Sequence, residues 1–311
     1  MNWIDLHADT PLRLYRNHGS LEKNNFHLDL VRSTPFAHFL QCAALYCPAD
    51  IADADGFSFV LSMLDYFEGE IGKCRGAALI RSAADFPAAW KTGKRAFLLA
   101  VEDARILNGR QERITLLHSR GVRIITPLWR GVSCIGGAHD TTVGLTDFGK
   151  CTVETMAALR ILPDVSHASQ QSFSDIREIT KTAGLPLIAT HSCAAALCPH
   201  TRNLTDAQIR EIAESGGVVG LNLYPSFLNR QGDADFPDIF RHLRHLYLVG
   251  GKELPALGTD FDGVGALPRG ICGMEDMPRV YTEMKKQGFS EDEADRFFSG
   301  NAERIIQAVL L

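Results

Sequence analysis

The chain is built from eight short apolar segments that alternate with longer segments of helical periodicity. The apolar segments are residues 4–6, 39–46, 97–101, 123–128, 161–165, 187–189, 218–223 and 254–257. The main longer segments are residues 56–73, 111–119, 148–159, 170–181, 205–215 and 235–249. Strands that alternate with helices pair in parallel through crossover helices. Eight such units predict a (β/α)8 barrel forming a single domain over residues 1–311, although an open doubly wound sheet has a similar alternation.

Glycine placement and the C-terminal stretch add detail to this prediction. Gly136-Gly137 and Gly216-Gly217 lie in no strand–GxGxxG–helix frame, so a dinucleotide-binding open sheet is not indicated. The glycine-rich residues 131–147 predict a loop over one end of the barrel. Thr205, with Gln208 three residues later, is typical of a helix start. Residues 274–286, 291–299 and 302–310 predict extra C-terminal helices packed on the outside.

The composition excludes several classes of protein. The chain is 45% hydrophobic, so it can bury a core, and wholesale disorder is excluded. With 32 basic and 37 acidic residues the net charge is −5, and no Lys/Arg cluster suggests a nucleic-acid partner. No apolar run reaches the ~20 residues that a membrane span needs, and the first residues lack a secretory pattern. The eight cysteines include no CxxC pair. We therefore expect a cytoplasmic protein without membrane contact; a homodimer is expected from base rates alone.

Residues that can bind metal or carry protons stand at the ends of several predicted strands. They are His7, Asp9, Glu102, His167, His191 and Asp260. Because the carboxyl ends of parallel barrel strands converge on one face, these residues are expected to share one pocket.

Their chemistry predicts a metal centre. His7 and Asp9 are two residues apart, so on a regular strand they share a face, and imidazole with carboxylate suits zinc. With Glu102, His167 and His191 the set is too large for one tetrahedral ion. One bridging carboxylate among five ligands suits two divalent ions about 3.5–4 Å apart, which generate a nucleophile from water near neutral pH.

The remaining histidines show why a single histidine is weak evidence for a metal. A lone histidine at a strand end is more often capped or solvated than a ligand, so the prediction depends on the five residues together. We leave His139, in the glycine-rich loop, unassigned. Those expected on the surface or in packing are His18, His27, His38, His118, His200, His242 and His245.

Four motifs occur in a specific order. They are DLHADTP at residues 5–11, DVSH at 164–167, the stretch from THS to RNLTD at 190–206, and GTDFDG at 258–263. In this order and spacing the chain resembles the membrane (renal) dipeptidase family, zinc dipeptidases of the amidohydrolase superfamily, over nearly its whole length. The resemblance implies a (β/α)8 barrel, two zinc ions and dipeptide hydrolysis, with tolerance of a D-residue at the second position.

The resemblance also implies roles for individual residues. His7 and Asp9 would bind one zinc, His167 and His191 the other, and Glu102 would bridge them. Asp260 would exchange protons with the bridging hydroxide and then with the leaving amine, and Asp262 is expected in a structural turn. Arg202 would face the negative end of the substrate, and Tyr224 would line its pocket. An arginine fork can hold the terminal carboxylate of a dipeptide by two parallel hydrogen bonds.

Trp129 departs from the mammalian pattern. It stands where mammalian members carry a substrate-contacting histidine, within the segment TPLW at residues 126–129. Tryptophan donates one indole N–H but cannot be protonated, so a zinc ion alone could polarise the scissile carbonyl. The apolar tail at residues 307–311 is too short for the lipid-anchor signal of the family's membrane-bound members.

Two alternatives remain open from the sequence. The nearer is another amidohydrolase activity on the same metals, namely hydrolysis of an N-acyl amino acid, a lactone or a phosphoester. The more distant is a binding module that has kept the barrel and lost turnover, which the five filled ligand positions disfavour. Substrates with a free amine beside the scissile amide separate a dipeptidase from the first alternative.

Overall fold

The computed structural model describes residues 1–309, in which nine strands pair in parallel. The strands are β1 (Trp3–Ala8), β2 (Phe39–Tyr46), β3 (Ala77–Ile80), β4 (Arg95–Glu102), β5 (Val122–Thr126), β6 (Leu162–Pro163), β7 (Ile188–Ser192), β8 (Val218–Leu221) and β9 (Pro255–Leu257). Eight of them follow the order β6-β5-β4-β2-β1-β9-β8-β7. Each of the eight predicted apolar segments coincides with one of these eight strands.

The ends of this path meet and close a barrel. Asp164, just after β6, forms a parallel bridge with Ile188 of β7, and the Val165 N–H donates to the Ile188 carbonyl at 2.8 Å. The prediction of a (β/α)8 barrel is therefore confirmed, and the open sheet is excluded. The unpredicted strand β3 lies off the path and pairs with the amino-terminal half of β4, next to the part of β4 that pairs with β5.

Helices follow the barrel strands along the chain. They are α1 (Thr10–Asn17), α2 (Asp53–Lys73), α3 (Asp85–Lys91), α4 (Glu112–Ser119), α5 (Asp147–Ala158), α6 (Gln170–Thr182), α7 (Asp206–Glu214), α8 (Pro225–Leu228), α9 (Phe236–Gly250), α10 (Met277–Lys286), α11 (Glu291–Asp295) and α12 (Asn301–Val309). Short 3₁₀ turns span Ala104–Leu107 and Met274–Asp276, and a π-helical turn spans Arg296–Gly300.

The predicted helices are present with small shifts in their ends. The capping box at the start of α7 forms as expected between Thr205 and Gln208. The predicted helix 291–299 is divided into α11 and the π-helical turn that follows it. The predicted last helix corresponds to α12, and its final residue, Leu310, lies outside the described residues. The short helices α1, α3 and α8 were not predicted.

The amino-terminal part of the barrel interior is apolar, and the barrel is closed at this end. All eight barrel strands contribute to one buried cluster, which also contains Ala302, Ile305 and Ile306 of α12. Arg304 of α12 donates to the carbonyls of Gly216 and Glu253, which precede β8 and β9. A larger apolar cluster packs the strands against the surrounding helices. The carboxyl end of the barrel is thereby left for function.

Strand alternation decides which side chains enter that end. On β4, Ala96, Leu98 and Ala100 lie in the interior cluster, and Glu102 follows on the same face at the last position of the strand. Glu102 is therefore directed into the barrel at its carboxyl end, where it is only 4% exposed.

The glycine-rich loop at residues 131–146 lies beside this end, as expected. Thr146 caps α5 by accepting the Gly149 N–H at 2.9 Å. Gly149 has no space for a side chain because a Cβ there would overlap the Ile135 carbonyl of the loop. Across residues 1–309 the helices are all too short or too polar to cross a lipid bilayer.

Candidate active site

The five predicted metal ligands converge at the carboxyl end of the barrel. They are His7 in β1, Asp9 directly after it, Glu102 at the end of β4, His167 beyond β6, and His191 in β7. All five are buried, with His167 the most exposed at 9%.

Glu102 lies between two groups of ligand atoms. Its Oε2 is 3.7 Å from His7 Nε2, which is itself 3.4 Å from Asp9 Oδ2. Its Oε1 is 3.0 Å from His167 Nε2 and 3.4 Å from His191 Nε2. One carboxylate oxygen therefore faces His7, which contacts Asp9, and the other faces His167 and His191, an arrangement that suits a bridging ligand.

The prediction that His7 and Asp9 share a face of one regular strand is wrong. Asp9 is not on the strand, because β1 ends at Ala8 and Asp9 is the N-cap of α1. The pairing of β1 with β2 is also irregular between Asp5 and Ala8. The two side chains meet through this irregular strand end, not through regular strand alternation.

Hydrogen bonding leaves His167 with a bare nitrogen facing the cluster. Its Nδ1 is 2.9 Å from the Trp129 carbonyl, which can only accept, so Nδ1 carries the proton. Burial is the main cause that lowers the pKa of His167, to about 3, so the ring is neutral. The Nε2 lone pair then faces Glu102 Oε1 and His191 Nε2, both at 3.0 Å. A cation among these atoms would satisfy the converging lone pairs.

The surroundings of His7 and Asp9 also favour a positive charge. His7 Nε2 and Asp9 Oδ1 are buried without a hydrogen-bond partner in the described part of the chain. Burial lowers the pKa of His7, but the charges of Glu102 and Asp9 outweigh it and raise the pKa well above its ordinary value. Ligand atoms of His7, Glu102 and His191 lie within 4.8 Å of one another, as do those of His7, Asp9 and Asp260. The donor set therefore fits a metal centre.

Asp260 lies in a tight turn after β9 beside this cluster. Its backbone has a positive φ of 60°, its N–H donates to the His7 carbonyl at 3.1 Å, and Oδ2 accepts from Asn222 Nδ2 at 2.9 Å. Burial raises the pKa of Asp260 to about 7; the charge of His7 lowers it, and that of Asp9 raises it. The arrangement gives a carboxyl group that can hold or release a proton.

Gly263 and Asp262 complete this turn. A Cβ on Gly263 would overlap Asp9 Oδ2 and Asp260 Oδ1, so both carboxylates depend on a glycine at this position. Asp262 accepts from the Thr10 hydroxyl at 2.6 Å and from the His27 N–H at 2.7 Å. These contacts join the turn to α1 and to the loop between α1 and β2, which agrees with the structural role expected for Asp262.

Arg202 lies buried beside His191, only 4% exposed. Its Nη2 donates to the His191 carbonyl at 3.0 Å and its Nη1 to Ser192 Oγ at 3.4 Å, while the guanidinium carbon lies 5.4 Å from the Phe227 ring centroid. Its Nε has no partner among the described residues. Arg202 is therefore a buried cation with one N–H that no described residue satisfies.

The loop that carries Arg202 is fixed by a buried histidine. His242 of α9 accepts the Ala194 N–H on Nδ1 at 3.1 Å and donates from Nε2 to the Leu228 carbonyl at 2.9 Å. It is fully buried, and burial is the main cause that lowers its pKa to about 4. This neutral side chain agrees with the packing role expected for His242.

A cavity of about 730 Å³ opens over these residues. It is lined by Glu102, His167, Arg202 and Asp260, and by the predicted pocket residues Tyr224 and Trp129. Tyr224 stands at the start of α8 and packs edge-on against Phe227. The Trp129 ring lies 5.0 Å from Tyr46 and 6.3 Å from His167. A polar floor with aromatic walls suits a small polar ligand.

Three of the cavity residues that were missed or misplaced from the sequence are close to the candidate ligands or to Arg202. His200 was expected on the surface or in packing, but it lines the cavity. Its Nδ1 accepts the backbone N–H of Arg202 at 3.1 Å. The unassigned His139 also lines it, with Nδ1 2.8 Å from Thr201 Oγ1. Tyr46, at the end of β2, was not singled out, although its position at a strand end was the available signal.

Comparison with known proteins identifies the family. A family profile described as Membrane dipeptidase (Peptidase family M19) matches residues 1–310. The chain belongs to the membrane dipeptidase family. It is therefore a metal-dependent dipeptidase with the fold expected from the resemblance.

Individual proteins are similar to this chain over most of their length. The chain is 35% identical, over 74% of its length and 88% of the relative, to an uncharacterized protein in the pqqA 5′ region of Klebsiella pneumoniae. The crystal structure of dipeptidase AC, a family M19 metallopeptidase, matches with a TM-score of 0.92 at 29% identity, covering 100% of this chain and 99% of that one. A metallopeptidase from Rhodobacter sphaeroides, liganded with a phosphinate mimic of the dipeptide L-Ala-D-Ala, has a TM-score of 0.92 at 28% identity, covering 99% of both chains.

Proposed function

We propose that this dipeptidase works with two zinc ions bridged by Glu102, and that it accepts dipeptides with a D-residue at the second position. The observation that carries the proposal is the position of Glu102, whose two oxygens face separate groups of ligand atoms. His7 and Asp9 would hold one ion with Oε2, and His167 and His191 would hold the other with Oε1. Imidazole nitrogen and carboxylate oxygen are the ligands that catalytic zinc takes.

The metal ions supply two kinds of chemistry when bound, because they polarise the scissile carbonyl and lower the pKa of a water molecule to near neutrality. The protein contributes the bare Nε2 atoms that it directs into the site. It also holds Glu102 ionised, because burial raises the pKa of this carboxyl group but opposing interactions, the charge of His7 the largest of them, lower the pKa well below its ordinary value.

Arg202 would bind the carboxylate terminus of the substrate. Its position beside His191 places a buried positive charge at the edge of the metal site. The unpaired Nε supports this role, since a buried donor without a partner is costly and a substrate oxygen would satisfy it. A carboxylate fixed at this short distance from the ligands would favour dipeptides over longer peptides.

Asp260 would move the protons of the reaction. Asn222 holds Oδ2, and the overlap argument at Gly263 places Oδ1 next to Asp9. A carboxyl group at this point would take a proton as the attack begins and pass it to the nitrogen of the departing amine. General acid–base catalysis of this kind contributes about 10²- to 10⁴-fold to the rate.

The aromatic residues would shape the substrate pocket. Tyr224 and Trp129 line the cavity beside Arg202 and His167. Trp129 has no ionisable group, so a zinc ion, not a side-chain charge at this position, would polarise the carbonyl. The Rhodobacter sphaeroides relative bound to a mimic of L-Ala-D-Ala supports acceptance of a D-residue here.

Turnover of a matched substrate panel tests this proposal. The panel contains L-Ala-L-Ala, L-Ala-D-Ala, N-acetyl-alanine, a lactone and a phosphoester, each measured before and after chelation and after zinc is added back. We expect hydrolysis of both dipeptides, loss on chelation and recovery with zinc. Turnover of N-acetyl-alanine, the lactone or the phosphoester instead of the dipeptides would contradict the proposed substrate class, and hydrolysis of only the L-L dipeptide would contradict the stereochemical part.

A further inference from the structure

A polar layer lies inside the barrel directly beneath the candidate metal site. It consists of Thr126 at the end of β5, Asp164 just after β6, and Thr190 in β7, each at most 1% exposed. Ile124, Leu162 and Ile188, two residues before each of them, belong to the interior cluster, so strand alternation predicts that all three face inward.

Asp164 is the centre of the layer and accepts four hydrogen bonds. Its Oδ1 accepts from the backbone N–H groups of Ser166 at 2.9 Å and of Thr190 at 2.8 Å. Its Oδ2 accepts from the hydroxyls of Thr126 and Thr190, both at 2.6 Å. Asp164 is the acceptor in all four bonds, so the hydroxyl protons of Thr126 and Thr190 are directed to it.

The bonds to Asp164 determine the direction of the hydrogen bond between Thr190 and His191. A threonine hydroxyl has one proton, and that of Thr190 is committed to Asp164. Thr190 Oγ1 also lies 2.8 Å from His191 Nδ1, so the oxygen must accept there and Nδ1 must carry a proton. A neutral imidazole with its proton on Nδ1 has a bare Nε2, and His191 Nε2 is the atom that faces Glu102 at 3.4 Å.

We infer that Thr190, held by Asp164, is a positioning residue that fixes the tautomer of His191 and so presents its bare Nε2 to a metal ion. This inference rests on the proposed function for the metal it serves. His167 reaches the same tautomer by a different contact, the Trp129 backbone carbonyl, which no side-chain substitution removes. Of these two histidines, only His191 therefore has a tautomer that depends on another side chain.

The layer lies beside the shortest strand of the barrel, β6. Strand β6 has two residues, and it meets β7 through the bridge from Asp164 to Ile188. The bond from the Thr190 N–H to Asp164 Oδ1 joins the same two strands from inside the barrel. Asp164 thus also sets the spacing between the segments that carry His167 and His191.

A second aspartate–threonine pair on the other side of the barrel shows that the contact to histidine is specific. The Thr259 hydroxyl donates to Asp5 Oδ2 at 2.6 Å, and its N–H donates to Asp5 Oδ1 at 2.9 Å, as in the pair of Thr190 with Asp164. Thr259 Oγ1, however, accepts from the Phe261 backbone N–H at 3.2 Å and contacts no histidine. Of the two threonine hydroxyls, only that of Thr190 contacts the imidazole ring of a proposed ligand, whereas the second pair reaches His7 only through its backbone N–H, which donates to Asp5 at 3.3 Å.

The experiment compares three variants of the full chain. Thr190→Val keeps the shape of the side chain and removes the hydroxyl, Thr190→Ser keeps the hydroxyl, and Thr126→Val removes the other hydroxyl from Asp164 without touching His191. Each protein is stripped of metal, checked for folding by circular dichroism, and titrated with zinc against a chromophoric chelator. The imidazole nitrogens of ¹⁵N-histidine-labelled, metal-free protein are recorded by NMR, with the His191 signal assigned from His191→Gln.

We expect wild-type His191 to carry its proton on Nδ1 and Thr190→Val to lose that preference. Zinc affinity should fall about 10- to 100-fold in Thr190→Val, the usual effect of removing the partner of a ligating histidine. Thr190→Ser and Thr126→Val should remain close to wild type.

Several results would overturn the inference. These are a wild-type His191 protonated on Nε2, unchanged zinc affinity in Thr190→Val, or an equal loss in Thr126→Val, which would indicate general destabilisation. If Thr190→Val does not fold, the wild-type tautomer and the affinity of Thr190→Ser decide. A wild-type chain that binds no zinc would contradict the proposed function, whereas the NMR signal of His191 would still test the tautomer separately.

Discussion

Removal of the Arg202 guanidinium should weaken turnover in a way that depends on the substrate's own carboxylate. Arg202→Met keeps an apolar stem against Phe227 and deletes every N–H of the side chain. The variant also loses the bonds to the His191 carbonyl and Ser192, so some loss common to all substrates is expected. The informative quantity is therefore the difference between a dipeptide and the same dipeptide with an amidated carboxyl terminus.

The size of that difference follows from the burial and bonding of Arg202. The residue is 4% exposed, so solvent screens it little, and its Nε has no partner among the described residues. A hydrogen bond to a charged group contributes about 1.5–3 kcal/mol. At about 1.4 kcal/mol for each factor of ten, kcat/KM for the free dipeptide should fall about 10- to 150-fold more than for the amide.

Steady-state kinetics on the two substrates measures this coupling. Arg130→Met is the matched control, because Arg130 lines the same cavity but its side chain is 73% exposed, and it should affect the two substrates alike. Most of the selective loss in Arg202→Met should appear in KM. An equal loss for the free and amidated dipeptides would show that Arg202 does not bind the substrate carboxylate.

Three further perturbations address separate parts of the structure. Asp260→Asn should retain its metal content, measured by atomic absorption, while kcat falls about 10²- to 10⁴-fold, and an unchanged kcat would remove Asp260 from proton transfer. Gly263→Ala should lower both metal affinity and kcat, because the new methyl group overlaps two carboxylates. Gly265→Ala is the control, since its methyl group points into open space and should change neither quantity. Equal metal affinity and kcat in the two variants would contradict the overlap. For His242 the unfolded pKa of 6.5 exceeds the folded pKa of about 4, so the unfolded chain binds the proton first and stability is lost as pH falls from about 6.5 to 4. That loss is about 3 kcal/mol, and denaturant unfolding should show it as an additional loss in metal-free wild type relative to His242→Gln, because buried His167 titrates over the same range in both proteins; parallel pH profiles would refute it.

The barrel could be predicted because its strands are buried on both faces. Such strands form continuous apolar runs, as residues 39–46 and 97–101 do, and each run coincides with an observed strand. Strand β3 was missed because it has four residues, two of them half-buried, and lies outside the closed path. Helix α1 was missed because it starts directly after β1, with no loop to separate a strand pattern from a helix pattern.

The convergence of the candidate ligands was equally accessible from the sequence, since parallel strand ends meet on one face. The contacts that orient these ligands could not be predicted from the sequence. The bond from His167 to the Trp129 carbonyl involves a backbone atom, whose direction no residue type records. His200 reaches the cavity through the irregular loop after β7, where hydrophobic periodicity gives no guidance.

Anomalous diffraction from zinc-loaded crystals would test the central claim most directly. The account predicts two zinc peaks about 3.5–4 Å apart, one beside His7 and Asp9, the other beside His167 and His191, with one oxygen of Glu102 on each. A single peak, or two peaks with both Glu102 oxygens on the same ion, would contradict it.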